Sequence, residues 1–599
     1  MGWPLFFSYV CVMKYFLSFL LLILLSSRIE AQQLAPIDTF KIENRTFGDL
    51  HALTQQMNGF GASFFFNPQH TLPDPSQLYQ PGLTTFINAQ QSLKPLTFSA
   101  LPHLGFGYGF GAQGAQRMRV DYEQTFAHHL LLNLRYDRWQ RTGFIRADEL
   151  RYSQLQINLY QSGKRHEALL HFGNASDDRQ WAGGLADYTA LGTISMDLLP
   201  VVKETARTQK NSYGAQLDFR YRLFGDSLHA FNVASQHQFQ LQKRLYLEEG
   251  PLNLYYPQTY FSPDSSSDAF DQRYFDNRLG LHLRMLGFEW SSLVGLRQRL
   301  WSDAVAQHDT LEVNWSNQLT FRRAAMRFAH QNEVNVSGAA QGWHANTYYN
   351  WQHSNWKLEA QHRVANEWPL LMQRGYQSNL TNYFWTNPQK QFFQEFSAAG
   401  AFQNKSKSLN GSLKLSLIQY KNVYRFDPQL VLWTTTGAVS TGQFATLDAG
   451  IAYSFGKEVE KQTKATWTLR SKYRYLAQEA AFLPKNSAAV ALAWQGGVFK
   501  DKRLKLLLEA QLNYVSASKT LVYLPYMESL DWSASQNGLV NKANINAQFN
   551  MALEVKTFRF FVNVANLGSY WNAAQLSTVQ GYPFPTMQIR LGLTWDFWN

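Results

Sequence analysis

The chain of 599 residues is rich in aromatic residues (15%) and poor in charged ones (16%), and its formal net charge is +12. Soluble proteins carry about 25% charged residues, and disordered chains lack aromatic residues. A helical membrane protein needs apolar runs of about 20 residues. This chain lacks repeated runs of that kind, and its mean hydropathy is −0.33. A polytopic helical transporter and a disordered chain are therefore excluded.

Residues 1–31 have the layout of a cleaved secretory signal peptide. Lys14 precedes an apolar stretch at 15–25, and small residues follow up to Ala31. A basic start, an apolar core and a small-residue exit are typical of such a signal, whereas a membrane anchor needs about 20 apolar residues. The only cysteine, Cys11, falls within this segment. We therefore expect a mature protein without a disulfide, a cysteine metal site or a thiol nucleophile.

Residues 32–100 differ from the rest of the chain because they are rich in proline and alternate little. The prolines lie at positions 36, 68, 73, 75, 81 and 95. We expect either a periplasmic segment or a segment inserted into the lumen of the barrel predicted below. The stretch is too short for the plug domain of an energised transporter. Residues 101–599 are predicted to form the main domain.

Apolar and polar residues alternate in segments of about ten residues throughout 101–599. Clear examples are 213–223 (YGAQLDFRYRL), 504–514 (LKLLLEAQLNY) and 587–597 (MQIRLGLTWDF). Successive strand side chains point to opposite faces, so each segment has one apolar and one polar face. A soluble β-sandwich also alternates, but rows of 9–11 residues with aromatic ends match strands that cross a bilayer between interfacial girdles. We predict an all-β fold, a transmembrane antiparallel up-and-down β-barrel in the outer membrane.

The links between the predicted strands alternate in length. Short links lie at 162–164, 225–227, 354–355, 456–462 and 556–557, and long polar links at about 174–210, 242–272, 366–391, 516–541 and 568–585. Outer-membrane barrels have short periplasmic turns and long extracellular loops. We predict about 22 strands, an even number between 18 and 26. A ring of that size needs a water-filled lumen or a plug.

Two groups of motifs resemble the putative porins of Bacteroidota outer membranes. They are Phe172-Gly173-Asn174 leading to 181–185 (WAGGL), and 581–585 (GYPFP) leading to the alternating end at 589–597. The resemblance covers most of the chain after residue 100. It implies an outer-membrane location and a large β-barrel, and it says nothing about the solute.

The polar faces of the predicted strands carry more basic than acidic residues. Rings of Arg and Lys favour anions in pores, so a weakly anion-selective channel is one interpretation. The other is that these charges only solvate the lumen and pair across strands. The candidate pore-lining residues are Arg117, Arg119, Arg220, Arg222, Arg284, Arg297, Arg299, Lys414, Arg470, Lys505 and Arg590.

The sequence contains no nucleophile elbow, zinc-binding His-Glu-x-x-His or phosphate-binding loop. We therefore predict no catalytic site, no cofactor and no metal. Glycine at positions 105, 107, 109 and 111 alternates with aromatic residues, which predicts a first strand whose inner face lets another group pack closely. The basic charge is spread over many strands, which argues against a nucleic-acid partner.

Three functions remain open from the sequence. The first is a channel for passive or weakly anion-selective diffusion of small hydrophilic solutes. The second is a non-conducting barrel that anchors or docks partner proteins, and the third is a barrel hydrolase with a dispersed site, although we expect no enzyme activity. The expected partners are outer-membrane lipid, lipopolysaccharide, the barrel-assembly machinery and the solutes. The oligomeric state stays open.

Overall fold

The structure, a computed structural model, describes residues 101–126, 130–187, 193–226, 229–337, 342–369, 375–384, 389–406, 408–422, 424–427, 432–434, 441–456, 465–477, 484–498, 504–519, 522–527, 529–531, 540–570, 581–583 and 586–598. The predicted signal peptide (1–31) and proline-rich segment (32–100) lie outside the described residues, so both stay predictions. No helix in the described ranges is long and apolar enough to cross a membrane.

Twenty-two strands form one closed antiparallel sheet. Each strand pairs with the next along the chain, and the last pairs with the first. The predicted up-and-down barrel of about 22 strands is thus confirmed. The strands are β1 (His103–Gly111), β2 (Gln116–Phe126), β3 (Leu130–Arg141), β4 (Leu150–Ser162), β5 (His166–Gln180), β6 (Arg207–Gly225), β7 (His229–Glu249), β8 (Ser265–Met285), β9 (Phe288–Ser302), β10 (Gln307–Arg323), β11 (Met326–Asn335), β12 (Gly342–His353), β13 (Trp356–Glu367), β14 (Gln391–Gln403), β15 (Leu409–Lys421), β16 (Gly442–Phe455), β17 (Thr466–Leu476), β18 (Asn486–Gly497), β19 (Leu504–Val515), β20 (Asn544–Val555), β21 (Phe558–Ala565) and β22 (Gln588–Trp598).

The two faces of the sheet differ as the alternation predicts. Leu279, Leu415 and Ile451 are more than half exposed, and they belong to the outward rows that meet lipid in a transmembrane barrel. The inward rows carry polar side chains, and Asn314 and Glu509 there are fully buried by their neighbours. Because lipid lies outside the barrel and polar groups lie inside it, apolar and polar residues alternate along each strand.

The longest links between strands all lie at one end of the barrel, as predicted. Two residues connect β8 to β9, β10 to β11, β12 to β13 and β20 to β21. At the opposite end, 26 residues separate β5 from β6 and 28 separate β19 from β20. Long loops of outer-membrane barrels are extracellular, so this end is called the loop end.

The predicted bounds of two long links were wrong. The link at about 174–210 is 181–206, and the link at about 242–272 is 250–264. The reason is that β7 and β8 each have 21 residues, about twice the 9–11 that cross a bilayer. The sheet from β5 to β8 therefore continues past the membrane on the loop side.

The ring closes where β22 meets β1, with His103 opposite Trp598. Glycines make this closure possible, as predicted for the first strand. A Cβ on Gly111 would lie 2.8 Å from Cγ of Arg590, and a Cβ on Gly592 would lie 2.6 Å from the carbonyl oxygen of Tyr108. The inner face of the junction is thus filled by side chains of neighbouring strands rather than by its own.

Candidate functional site

All eleven predicted pore-lining residues lie on the inward rows of their strands. The strand pairing shows this directly, because residues that face each other in register share a face. Arg119 lies opposite Gly107 and Asp137, and Lys505 lies opposite Gly497 and Glu554. The predicted alternation therefore assigned these side chains to the correct face.

Seven of the eleven are ion-paired with carboxylates of the same face. Nε of Arg117 donates to Oδ1 of Asp137 at 2.9 Å, and Nη2 of Arg297 donates to Oε1 of Glu333 at 2.6 Å. The remaining five pairs are Arg119–Asp121, Arg284–Glu289, Arg299–Glu312, Arg470–Glu509 and Lys505–Glu554. Much of the basic charge of the lumen wall is therefore neutralised locally.

A charge network across β8, β9 and β11 includes residues that the sequence analysis missed. Oδ2 of Asp276 accepts from Nη2 of Arg278 at 2.7 Å and from Nη2 of Arg297 at 2.9 Å. Glu333 lies within 3.0 Å of the Arg278 guanidinium. Arg278 lies on the same face of β8 as Arg284. The alternation of apolar and polar residues could therefore have identified it too.

The other four candidates make no ion pair among the described residues. Arg590 donates from Nη1 to Oδ1 of Asn563 at 3.1 Å. Lys414 lies opposite Asp448 in register without reaching it within ion-pair distance. Arg220 and Arg222 line a cleft at the short-turn end of the lumen, together with Arg284 and His282. This cleft therefore gathers several arginines on one part of the described wall.

At the loop end, aromatic side chains from several loops pack into one buried cluster. It includes Tyr256 of the β7–β8 loop, Tyr376 of the β13–β14 loop and Tyr526 of the β19–β20 loop. Arg244 of β7 is 1% exposed, and its Nη2 donates to the carbonyl oxygens of Pro525 at 2.9 Å and Tyr526 at 2.6 Å. We call this cluster with Arg244 the loop cap.

The loop cap crosses the mouth of the barrel. Strand β7 and the pair β19–β20 lie on opposite sides of the 22-strand ring, so the β19–β20 loop reaches over the lumen to meet Arg244. Nη1 of Arg244 also donates to the Tyr376 hydroxyl at 3.2 Å. Three loop and strand segments from separate parts of the rim are thus held by one guanidinium.

The two motif groups that the sequence analysis took separately lie in contact at the loop end. The backbone N–H of Leu185 donates to the carbonyl oxygen of Gly581 at 2.7 Å. Gly184 has φ +92°, and a Cβ there would lie 2.5 Å from Cα of Gly581. Leu185 and Tyr582 are buried in one apolar cluster with Ala182. The glycines of the 181–185 segment therefore allow two loops to touch.

The sequence matches the putative porin family over residues 40–599. The chain belongs to this family. Solved structures with a similar fold include the copper transporter OprC (10% identity, 84% of this chain and 81% of that chain covered, TM-score 0.57). The FrpB iron transporter from Neisseria meningitidis, F3-3 variant, has 10% identity, 83% and 82% coverage and a TM-score of 0.54. The siderophore receptor PiuA from Acinetobacter baumannii has 10% identity, 84% and 82% coverage and a TM-score of 0.53.

At such low identity these structures establish the fold alone: the protein is an outer-membrane-type β-barrel of the putative porin family. No curated protein sequence matches the chain. Within the described residues of this porin-family barrel, no group of three or more His, Cys, Asp or Glu side chains is placed to hold a metal ion.

A largely buried lysine lies next to the loop cap of this porin-family barrel. Nζ of Lys203, in the β5–β6 loop, lies 3.0 Å from Oε1 of Glu248 and contacts the Tyr256 hydroxyl. Burial lowers the pKa of Lys203, and the Glu248 carboxylate opposes that shift. Burial, followed by the nearby Tyr246 and Glu248, raises the pKa of Tyr256 well above its ordinary value. Lys203 is thus a cation whose proton leaves at a lower pH than that of a free lysine.

Proposed function

We propose that the protein is an outer-membrane channel through which small hydrophilic solutes diffuse passively, with a weak preference for anions. The main support is the lumen wall, whose inward rows carry many polar side chains and on which Arg220, Arg222 and Lys414 make no ion pair within the described residues. Positive groups on a pore wall favour anions over cations. Membership of the putative porin family supports the same function.

The ion pairs of the wall explain why the proposed preference is weak. A paired guanidinium and carboxylate present little net charge to a passing ion, whereas an unpaired guanidinium attracts anions over about one Debye length, roughly 8 Å at physiological salt. Seven of the eleven candidates are paired, so only part of the basic composition acts on a solute.

A salt gradient across a planar bilayer tests this proposal. The purified barrel is inserted, and the reversal potential is measured with potassium chloride at tenfold different concentrations on the two sides. We expect a reversal potential of the sign for chloride preference. A potential of the opposite sign would rule out anion preference, and the absence of conductance would rule out the channel.

The second candidate is a non-conducting barrel that docks partner proteins. The loop cap favours it, because the β19–β20 loop and Arg244 meet across the mouth. Single-channel recording separates the two functions, since a docking barrel shows no discrete openings. Deleting residues 32–100 from the protein tests whether that segment contributes to closure, because openings would then appear only in the shortened chain.

The proposal includes the surroundings of the barrel. We infer that outer-membrane lipid and lipopolysaccharide contact its outer face, that the barrel-assembly machinery inserts it, and that it has neither enzyme activity nor a nucleic-acid partner. Amino-terminal sequencing of the protein from isolated outer membranes tests export, with Gln32 expected as the first residue. Turnover of any substrate in a panel of lipids and peptides would contradict the absence of catalysis.

A further inference from the structure

The cleft at the short-turn end of the lumen joins four neighbouring strands, β5 to β8, and the β4–β5 turn. Four arginines line it: Arg165 of the β4–β5 turn, Arg220 and Arg222 of β6, and Arg284 of β8. We call it the basic cleft. His166, Glu167, Ala230, Asn232 and His282 complete its lining with Gly163.

Strand register explains how the arginines surround an open space. Strand β7 lies between β6 and β8, and its Asn232 lies opposite both Arg222 and His282. Ala230 lies opposite Arg284. The middle strand thus contributes small side chains as a floor, while the long guanidinium side chains stand on either side of it.

The floor is held in place by its own contacts. Nδ2 of Asn232 lies 2.9 Å from Nδ1 of His282, and both side chains are buried. A β-bulge in β6 falls between Arg222 and Phe224. Bulges bend a strand and redirect the side chains next to them, so Arg222 stands at the point where the wall turns.

The charges of the basic cleft are not balanced. Arg284 is paired with Glu289 at 3.1 Å, and Glu167 lies opposite Arg220 in register. Arg165, Arg220 and Arg222 make no ion pair within the described residues. Two carboxylates therefore face four guanidinium groups, whereas elsewhere on the wall most arginines have a carboxylate of their own.

We propose that the basic cleft is a binding site for a small oxyanion with two negative charges, such as phosphate. Guanidinium groups bind such anions with paired N–H donors in a fixed fork. A dianion matches the excess of two positive charges in the cleft. The proposal rests on the proposed anion preference and adds a discrete site at one end of the lumen.

Equilibrium binding of radiolabelled inorganic phosphate to the full-length barrel in detergent, at pH 8, tests the site without relying on conductance. We expect saturable binding with one phosphate per chain, displaced by sulfate and weakened far less by an equal concentration of chloride. A monoester, ethyl phosphate, shows whether the site accepts a phosphate group carried by a larger solute.

The test variant is the double substitution Arg220→Gln and Arg222→Gln, with Lys414→Gln and Lys472→Gln as the matched control. Both variants remove two positive charges from inward rows, but β15 and β17 lie across the ring from β6. We expect the first variant to bind phosphate at least tenfold more weakly and the control to change less than twofold. Retention of the folded gel mobility in SDS without heating shows that both barrels are closed.

Equal losses in the two variants would overturn the site, because phosphate would then respond to the overall charge of the lumen. No saturable binding by the unaltered protein would also overturn it. In either case a chloride-selective reversal potential would leave the proposed channel intact, so the two proposals fail separately.

Discussion

At the residue scale, Arg244 shows how one buried charge can organise a surface far from its own strand. Its guanidinium has backbone carbonyls of Pro525 and Tyr526 and the Tyr376 hydroxyl as acceptors. A buried acceptor that loses its donor costs about 1–3 kcal/mol. The loop cap therefore depends on this side chain as well as on its apolar contacts.

We expect Arg244→Met to open the loop cap while the barrel stays closed. Methionine keeps much of the apolar volume but removes the guanidinium donors from both carbonyl oxygens, a loss of about 3 kcal/mol, or roughly a hundredfold in the opening equilibrium. Limited proteolysis of the β19–β20 loop measures it. Arg138→Met, at an exposed arginine near the loop end of β3, is the control, and equal cleavage of both variants would contradict the prediction.

The buried Lys203 predicts a pH dependence of the loop cap. Its pKa in the folded protein is lowered, so the unfolded chain binds more protons between that pKa and the ordinary value of 10.5. Stability therefore rises as the pH rises through this interval. We expect Lys203→Met to remove the rise in the temperature of the cap's thermal transition that occurs as the pH approaches 10.5 from below, measured by tryptophan fluorescence.

Lys485→Met is the control for this measurement, because Lys485 is an exposed lysine. It should keep the pH dependence of the unaltered protein. The same alkaline slope in the Lys203 variant would show that another group controls the cap.

At the scale of elements, the strands could be predicted from the sequence but their loop-side ends could not. Lipid on one face and water on the other impose alternation, which is why 213–223 and 587–597 are easy to recognise. Above the membrane both faces are wet, so no alternation marks 174–180 (NASDDRQ) although β5 runs to Gln180. Pairing with β6 stabilises that extension, and this pairing cannot be read from the sequence of β5 alone.

The candidate site was predictable to a similar extent. The alternation along each strand placed all eleven basic residues on the lumen face, but it does not identify their partners. Arg470 of β17 pairs with Glu509 of β19 across an intervening strand, a contact that depends on two registers at once. The basic cleft likewise could not be predicted, because the sequence does not show which arginines lack a carboxylate partner.

The contact between the β5–β6 and β21–β22 loops gives a prediction at this scale. Gly184→Ala adds a methyl group 2.5 Å from Cα of Gly581, so the two loops must separate. Gly250→Ala is the matched control, since Gly250 also has positive φ (+121°) but nothing lies within 4 Å of its Cβ position. Alanine at either position has the backbone strain of a positive φ, about 1–2 kcal/mol. Only Gly184→Ala also clashes with Gly581.

Protease cleavage within 181–206 reads out this difference. We expect the Gly184 variant to be cleaved at least tenfold faster than the Gly250 variant. Equal rates would mean that the loops adjust without losing their contact.

At the scale of the whole molecule, closure of the ring depends on the junction of β1 and β22. We expect Gly592→Val to prevent closure, because its side chain would meet the Tyr108 carbonyl and the Phe561 ring. Gly411→Val in β15 is the control, since nothing lies within 4 Å of its Cβ position. The yield of barrels that keep the folded gel mobility in SDS without heating measures closure, and a normal yield for the Gly592 variant would contradict the prediction.

The junction also fixes the order in which the molecule can form. His103 and Asp596, whose side chains lie 3.1 Å apart across it, are 493 positions apart in sequence. Bringing such distant segments together costs about 5.5 kcal/mol of chain entropy beyond the constant term, whereas each hairpin needs only its own turn. Until that step, the growing sheet keeps two unpaired edges that can recruit other chains. Closing the ring is therefore also the step that removes the edges exposed to aggregation.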